Sequence, residues 1–246
     1  MVTRPLNPFA RTCRRTSAAC AQLVAAVAPG AFSGGATAEQ AASPAAPAAA
    51  LLDVGALHSC AVKRAQAGAG LLVVGAMITL MWVIEGADAI ANHRLDRYGI
   101  EPRSLEGLPE IATAPFLHAG FDHLVSNTIP FAFMGAAIAL GGAIRVLVVT
   151  AIVALVSGAG VWLVAPSASI TIGASGLVFG YAAYLFVRGL FNRSALEVAI
   201  GAVVGAIWGS ALLGALLPQE GVSWQAHFFG AVGGLVAARA ESPRPS

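Results

Sequence analysis

From Ala67 onward the chain is written in long apolar runs separated by short polar, glycine or proline breaks. About 20 helical residues cross a hydrocarbon layer roughly 30 Å thick. Runs of that order recur six times, over 68–90, 117–140, 144–165, 173–190, 195–217 and 224–240. The breaks fall at Gly141-Gly142, Pro166-Ser167, Asn192-Arg193 and Pro218-Gln219, residue types that punctuate helices. The pattern predicts an all-α membrane protein whose domain, residues 67–240, is a bundle of six transmembrane helices. Residues 1–66 are rich in Ala, Pro, Ser and Gly and nearly low-complexity from Ala41 to Ala50. They lack the large side chains a core needs, so a mostly disordered tail is expected there, with a second short tail over 241–246. The first long loop, about 91–116, carries Asp96, Glu101, Pro102, Glu106, Pro109 and Glu110, too polar and broken to span. It is expected to lie on or partly in the outer leaflet.

Composition agrees with the pattern. The 246 residues are 57% hydrophobic and only 11% charged, with a mean hydropathy of +0.77, well outside the balance of a soluble domain. Lipid is therefore the expected surrounding. The net charge is +2, and no basic stripe is interleaved with aromatics, which excludes a nucleic-acid partner. Cys13, Cys20 and Cys60 all precede the first long apolar run without metal-ligand spacing, so neither a disulfide framework nor a metal site is expected. Cytoplasmic loops retain Lys and Arg. An inside N-terminus places Lys63, Arg64, Arg145, Arg188, Arg193, Arg239 and Arg244 in the cytoplasm and only Arg94, Arg97 and Arg103 outside. Both termini are thus expected to be cytoplasmic, in a multi-pass protein of a bacterial plasma membrane.

Helices two, four and six run in the same direction, because each crossing reverses the chain. His123 and Asn127 lie near the start of the second, Ser175 at the start of the fourth and His227 at the start of the sixth. All four should therefore share one leaflet at shallow depth. Polar groups in hydrocarbon are costly unless they pair or face a wet cavity, so a lone serine or histidine would read as a packing residue, but the four together read as a site. His123 and Asn127 are four residues apart and share a helix face. His227 shares its face with Gly230 and Gly234, while Gly176 and Gly180 repeat the small-xxx-small spacing behind Ser175, so helices four and six can approach closely. A serine needs a base to become a nucleophile, and a neutral imidazole suits that task. Ser175 would attack, His227 would take its proton, and the free N–H groups of a helix start, with Asn127 and His123, would receive the oxyanion. Gly173 and Gly176 leave room for a substrate backbone. No acidic residue precedes His227 more closely than Glu220, so a dyad is expected. His118 lies off the His123 face and reads as structural, and Glu85 and Asp88 are expected to face the outer interface.

The stretches His118-x4-His123-x3-Asn127, Gly173-Ala174-Ser175-Gly176 and Ala226-His227-x2-Gly230-x3-Gly234 together resemble the rhomboid intramembrane serine proteases, over about residues 68–240. The resemblance implies a six-helix rhomboid fold and cofactor-free hydrolysis of peptide bonds in or near transmembrane segments of membrane-protein substrates. It implies Ser175 as nucleophile, His227 as general base and acid, and His123, Asn127 and the Ser175 N–H as oxyanion donors. It also implies that an aromatic one turn after the serine packs on the histidine, a place held by Phe179 where tyrosine is frequent. The first loop departs from the family in lacking the Trp-Arg pair seen in many members. Substrate entry is expected at about 195–224, with Trp224 as a cap. Two other functions remain open at this point: a catalytically inactive rhomboid-like binder of transmembrane helices, and a small channel using His118, His123 and His227.

Overall fold

The computed structural model describes residues 46–242. By its internal contacts the chain divides into two units, Met1–Val62 and Lys63–Ser246. Of the first unit, the described part is the beginning of a helix that continues into the second; all packing below concerns the second.

Six long helices carry the described residues: α1 (Ala46–Ile90), α2 (Phe121–Ala139), α3 (Ala143–Val164), α4 (Ser175–Phe191), α5 (Ala195–Gly214) and α6 (Trp224–Ala240). Three single turns, Asp96–Tyr98, Glu110–Thr113 and Ala114–Phe116, punctuate the loop between α1 and α2. Of the six, α3, α5 and the His58–Ile90 part of α1 are long and apolar enough to cross a membrane, and α4 is a shorter apolar helix. Side chains such as Leu72, Val83, Ile129, Leu155, Leu163, Ile207 and Leu213 stand exposed along these helices, the outward apolar surface of a protein whose solvent is lipid.

The helix starts are set by local chemistry. Gly120 and Gly142 precede α2 and α3 at φ values of 107° and 95°. Ser194 and Ser223 cap α5 and α6 by accepting the Glu197 and Ala226 N–H groups. One boundary differs widely from expectation. Residues 46–66, expected to belong to a disordered tail, are helical and form the first part of α1; alanine, which makes them look featureless, is the best helix former. Residues 1–45 and 243–246 lie outside the described residues.

The core is built around α4, which packs against α6, α5, α2 and α3. Tyr181, Tyr184, Phe131, Met134, Leu124 and Met81 are fully buried in it. The α4–α6 seam is made of facing backbones: a Cβ on Gly230 would collide with the Gly176 carbonyl, one on Gly234 with the Gly180 carbonyl, and one on Gly180 would lie 2.8 Å from the Gly230 oxygen. The expected small-xxx-small pairs thus interlock. By contrast α5 buries only Gly201 and Val204, resting on α4 through Gly201 and on Phe133 of α2 through the Trp208 ring, 5.0 Å between centroids.

Four charged positions depart from expectation. Arg188, counted as a cytoplasmic loop charge, is buried in the last turn of α4 and pairs with Glu197 at 3.1 Å and Glu241 at 2.9 Å. Glu241, assigned to a free tail, also holds Arg145 at 3.2 Å and accepts the Tyr184 hydroxyl at 2.7 Å. This network ties α3, α4, α5 and α6 together at the end of α4 away from Ser175; a buried arginine must be paired, and the carboxylates are within reach only after folding. Glu85 and Asp88, expected at the outer interface, are 0% and 1% exposed. The loop after α1 folds back over them, carrying Asp96, whose carboxyl is held above the ordinary carboxylate range by burial and then by the Asp88 charge.

Candidate active site

Ser175 is the first residue of α4, and the loop that delivers it is anchored from three sides. Ile100 and Thr171 exchange backbone hydrogen bonds at 2.9 and 3.1 Å, and the Gly173 N–H donates to the Ala114 carbonyl at 2.9 Å. The Ala174 N–H donates to His118 Nε2 at 3.4 Å. His118 is fully buried, so the structural role expected of it takes a definite form: it holds the serine turn. Gly173 has φ +112°, a conformation that favours glycine. A Cβ there would also lie 2.9 Å from His123 Nε2 and 3.8 Å from Asn127 Nδ2. The turn and the polar face of α2 are therefore in direct contact, as the helix order predicts.

The two α2 side chains are oriented by their own helix. Asn127 donates from Nδ2 to the His123 carbonyl at 3.1 Å and is nearly buried. His123 Nδ1 accepts the Ala119 N–H at 3.4 Å, which leaves the proton of the neutral ring on Nε2, the nitrogen beside Gly173. Both groups therefore present N–H donors toward the serine turn.

His227 is fixed by two contacts. Its ring lies flat on Phe179, centroids 4.1 Å apart and planes 4° from parallel, so the aromatic one turn after Ser175 takes the place implied for it. Its Nδ1 sits 2.7 Å from the Ala215 carbonyl oxygen. A carbonyl only accepts, so Nδ1 carries the proton and Nε2 keeps its lone pair. Ala215 ends α5; no sequence signal marks it, because its contribution is a main-chain oxygen. It fills the orienting role that a carboxylate fills in a triad. The Ser175 hydroxyl has no hydrogen-bond partner among the described residues, so the expected Ser175–His227 hydrogen bond is not made; the imidazole is held by Phe179 and Ala215 instead.

Ser157 of α3 is a further residue missed in the sequence. Its buried hydroxyl donates to the Ala226 carbonyl at 2.9 Å, and its Oγ would be met by a Cβ on Gly176, which fastens the start of α6 beside the serine turn. Its only signal was a hydroxyl in the small-residue run Ser157-Gly158-Ala159-Gly160. Beside His123 an open cleft of about 680 Å³ is bounded by Ile170, Thr171, Pro218, Val222 and Trp224.

An apolar helical bundle with a serine turn, an oriented imidazole and the polar face of α2 gathered at one end is that of an integral membrane protein. The chain belongs to the rhomboid family: the Rhomboid domain model matches residues 106–244, more than half of its length. It is 41% identical over 184 residues to an uncharacterized protein of Mycobacterium tuberculosis, covering 72% of this chain and 77% of that one. An uncharacterized protein of Mycobacterium leprae is 39% identical over 185 residues, covering 72% and 73%. The Bacillus subtilis protein named "Putative rhomboid protease YdcA" is 30% identical over 128 residues, covering 51% and 63%.

Proposed function

We propose that this chain is an intramembrane serine endopeptidase that hydrolyses peptide bonds in or near transmembrane segments of other membrane proteins with a Ser175–His227 dyad. The observation that carries the reading is the double constraint on His227, stacked on Phe179 one turn after Ser175 and donating from Nδ1 to Ala215. The free Nε2 takes the Ser175 proton as Oγ attacks the carbonyl carbon, and returns it to the leaving amine; water then repeats the sequence on the acyl-enzyme. The oxyanion is received by the Ser175 N–H, His123 Nε2–H and Asn127 Nδ2–H. Rotation of the Ser175 side chain on substrate binding closes the hydrogen bond absent from the free protein, as is common for catalytic contacts.

In this reading all six helices cross a bacterial plasma membrane with both termini in the cytoplasm. The short, polar ends of α2 and α6 are then the parts that line the wet pocket. Substrate enters past α5, which buries only Gly201 and Val204 and borders an apolar groove of about 420 Å³ lined by Phe133, Ala137, Leu140, Ile200 and Val203.

The test is labelling of the folded, purified protein by a fluorophosphonate together with cleavage of a transmembrane substrate in detergent or vesicles. A wild-type protein that resists the probe would favour the alternative, a non-catalytic relative that binds transmembrane helices. Two further outcomes are expected. Because the base works only as neutral imidazole, kcat/KM should fall about tenfold per pH unit once the ring becomes protonated and level off above that point; a rate that rises as the pH is lowered is incompatible with His227 as base. Phe179→Ala removes the surface on which the ring lies and should lower kcat/KM by about 10-fold to 100-fold, whereas Phe179→Tyr, which keeps a ring, should retain most of the activity.

A further inference from the structure

We propose that Asp88, His93 and Asp96, where α1 runs into the first loop with Glu85 one turn before, form a binding site for one divalent transition-metal ion of the zinc or manganese class. No such site was expected from the sequence, because its members fall on one helix face and on a loop whose fold-back the sequence does not announce. Asp88, His93 and Asp96 each bring one ligand atom to within 4.8 Å of the others. His93 Nδ1 lies 3.7 Å from Asp88 Oδ2 and 3.9 Å from Asp96 Oδ2. Tetrahedral ligands about 2.1 Å from a metal are about 3.4 Å apart, so side-chain rotations that move the ligand atoms by about an ångström close the set.

The second observation is independent of that spacing. Glu85 is 0% exposed, and neither of its carboxylate oxygens has a hydrogen-bond partner; Asp88 is 1% exposed and its Oδ2 likewise has none. Glu85 lies one turn before Asp88 on α1, so the two carboxyl groups share a helix face. Buried carboxylate oxygens without a counter-charge are expensive. Among the described residues no arginine or lysine forms an ion pair with any of the three carboxylates. A cation is the missing partner.

The donor set selects its class. One imidazole nitrogen with carboxylate oxygens suits zinc, manganese and their first-row neighbours, while calcium and magnesium favour oxygen alone. The outer support is in place: Asp88 Oδ1 accepts the Leu95 N–H at 2.7 Å, which fixes the carboxylate and leaves Oδ2 toward His93. The site also has an entrance, since the His93 side chain is 51% exposed and that of Asp96 29%, while Asp88 is buried. An ion here would tie the end of α1 to the first loop, whose Ile100 pairs with Thr171 just before the serine turn.

The experiment uses the full, untagged chain in detergent, stripped with a chelator and titrated with Zn2+ and with Co2+ as a spectroscopic probe. Expected results are about one bound equivalent, a visible d–d band for the Co2+ form, and a rise of several degrees in the thermal midpoint with Zn2+. His93→Ala and Asp96→Asn, both on the accessible side, should keep the metal-free thermal midpoint, lose or shift the band, and bind at least about 10-fold more weakly. No bound metal at about 100 µM Zn2+, or affinity in both variants within twofold of wild type, overturns the proposal. These readouts do not involve proteolysis, so their failure leaves the protease reading untouched.

Discussion

Ser175→Ala is expected to abolish cleavage of a transmembrane substrate, lowering kcat/KM by a factor of at least about 1,000, and to eliminate fluorophosphonate labelling. The hydroxyl is the only group removed, and it supports nothing else in the fold. It has no hydrogen-bond partner among the described residues, and the Ser175 backbone N–H proposed as an oxyanion donor is retained. The thermal midpoint should consequently shift by no more than a change of about 0.5 kcal/mol allows. That combination, lost turnover with unchanged unfolding, separates a nucleophile from a packing residue. Full cleavage by the variant would falsify the mechanism.

The second large effect is expected in stability. Gly230→Val places two methyl groups where even a Cβ would collide with the Gly176 carbonyl, and neither backbone can yield while α4 and α6 stay helical. Overpacking of this kind costs about 3 kcal/mol or more, and because His227 lies one turn before Gly230 on α6, the stack on Phe179 should be lost with it. Gly209→Val provides the contrast: nothing lies within 4 Å of a Cβ at Gly209, so a change of about 0.5 kcal/mol or less is expected. Thermal unfolding in one detergent compares the two. Equal destabilisation would show that the α4–α6 seam is not the constraint described here.

Much of the site was legible before any coordinates. The order of apolar runs placed His123, Asn127, Ser175 and His227 at one end of the bundle, and the glycine spacing identified the seam between α4 and α6. Phe179 came from family resemblance, which supplied a partner that spacing alone could not choose. Other features had no local signal. The Ala215 carbonyl looks like any other main-chain oxygen until α5 ends beside α6. Ser157 is one hydroxyl among small residues until Ala226 is set opposite it. Glu85 and Asp88 looked like interfacial acids because a helix-end carboxylate usually is one, and only the fold-back of the loop buries them. The alanine-rich start of α1 differs from expectation for the converse reason: its composition lacks the side chains of a core, yet the same alanines favour helix.

By itself the sequence determined the class of protein, the helix-forming segments and the end of the bundle at which chemistry collects. These follow from hydropathy, period and chain reversal, which are properties of contiguous residues. Tertiary structure decided which nitrogen of His227 keeps its lone pair, that the Ser175 hydroxyl has no hydrogen-bond partner among the described residues, and that Arg188 and Glu241 meet inside the bundle. Those are relations between groups far apart along the chain, and hydrogen bonds and ion pairs are sensitive to tenths of an ångström. Only the final placement of whole helices sets distances on that scale.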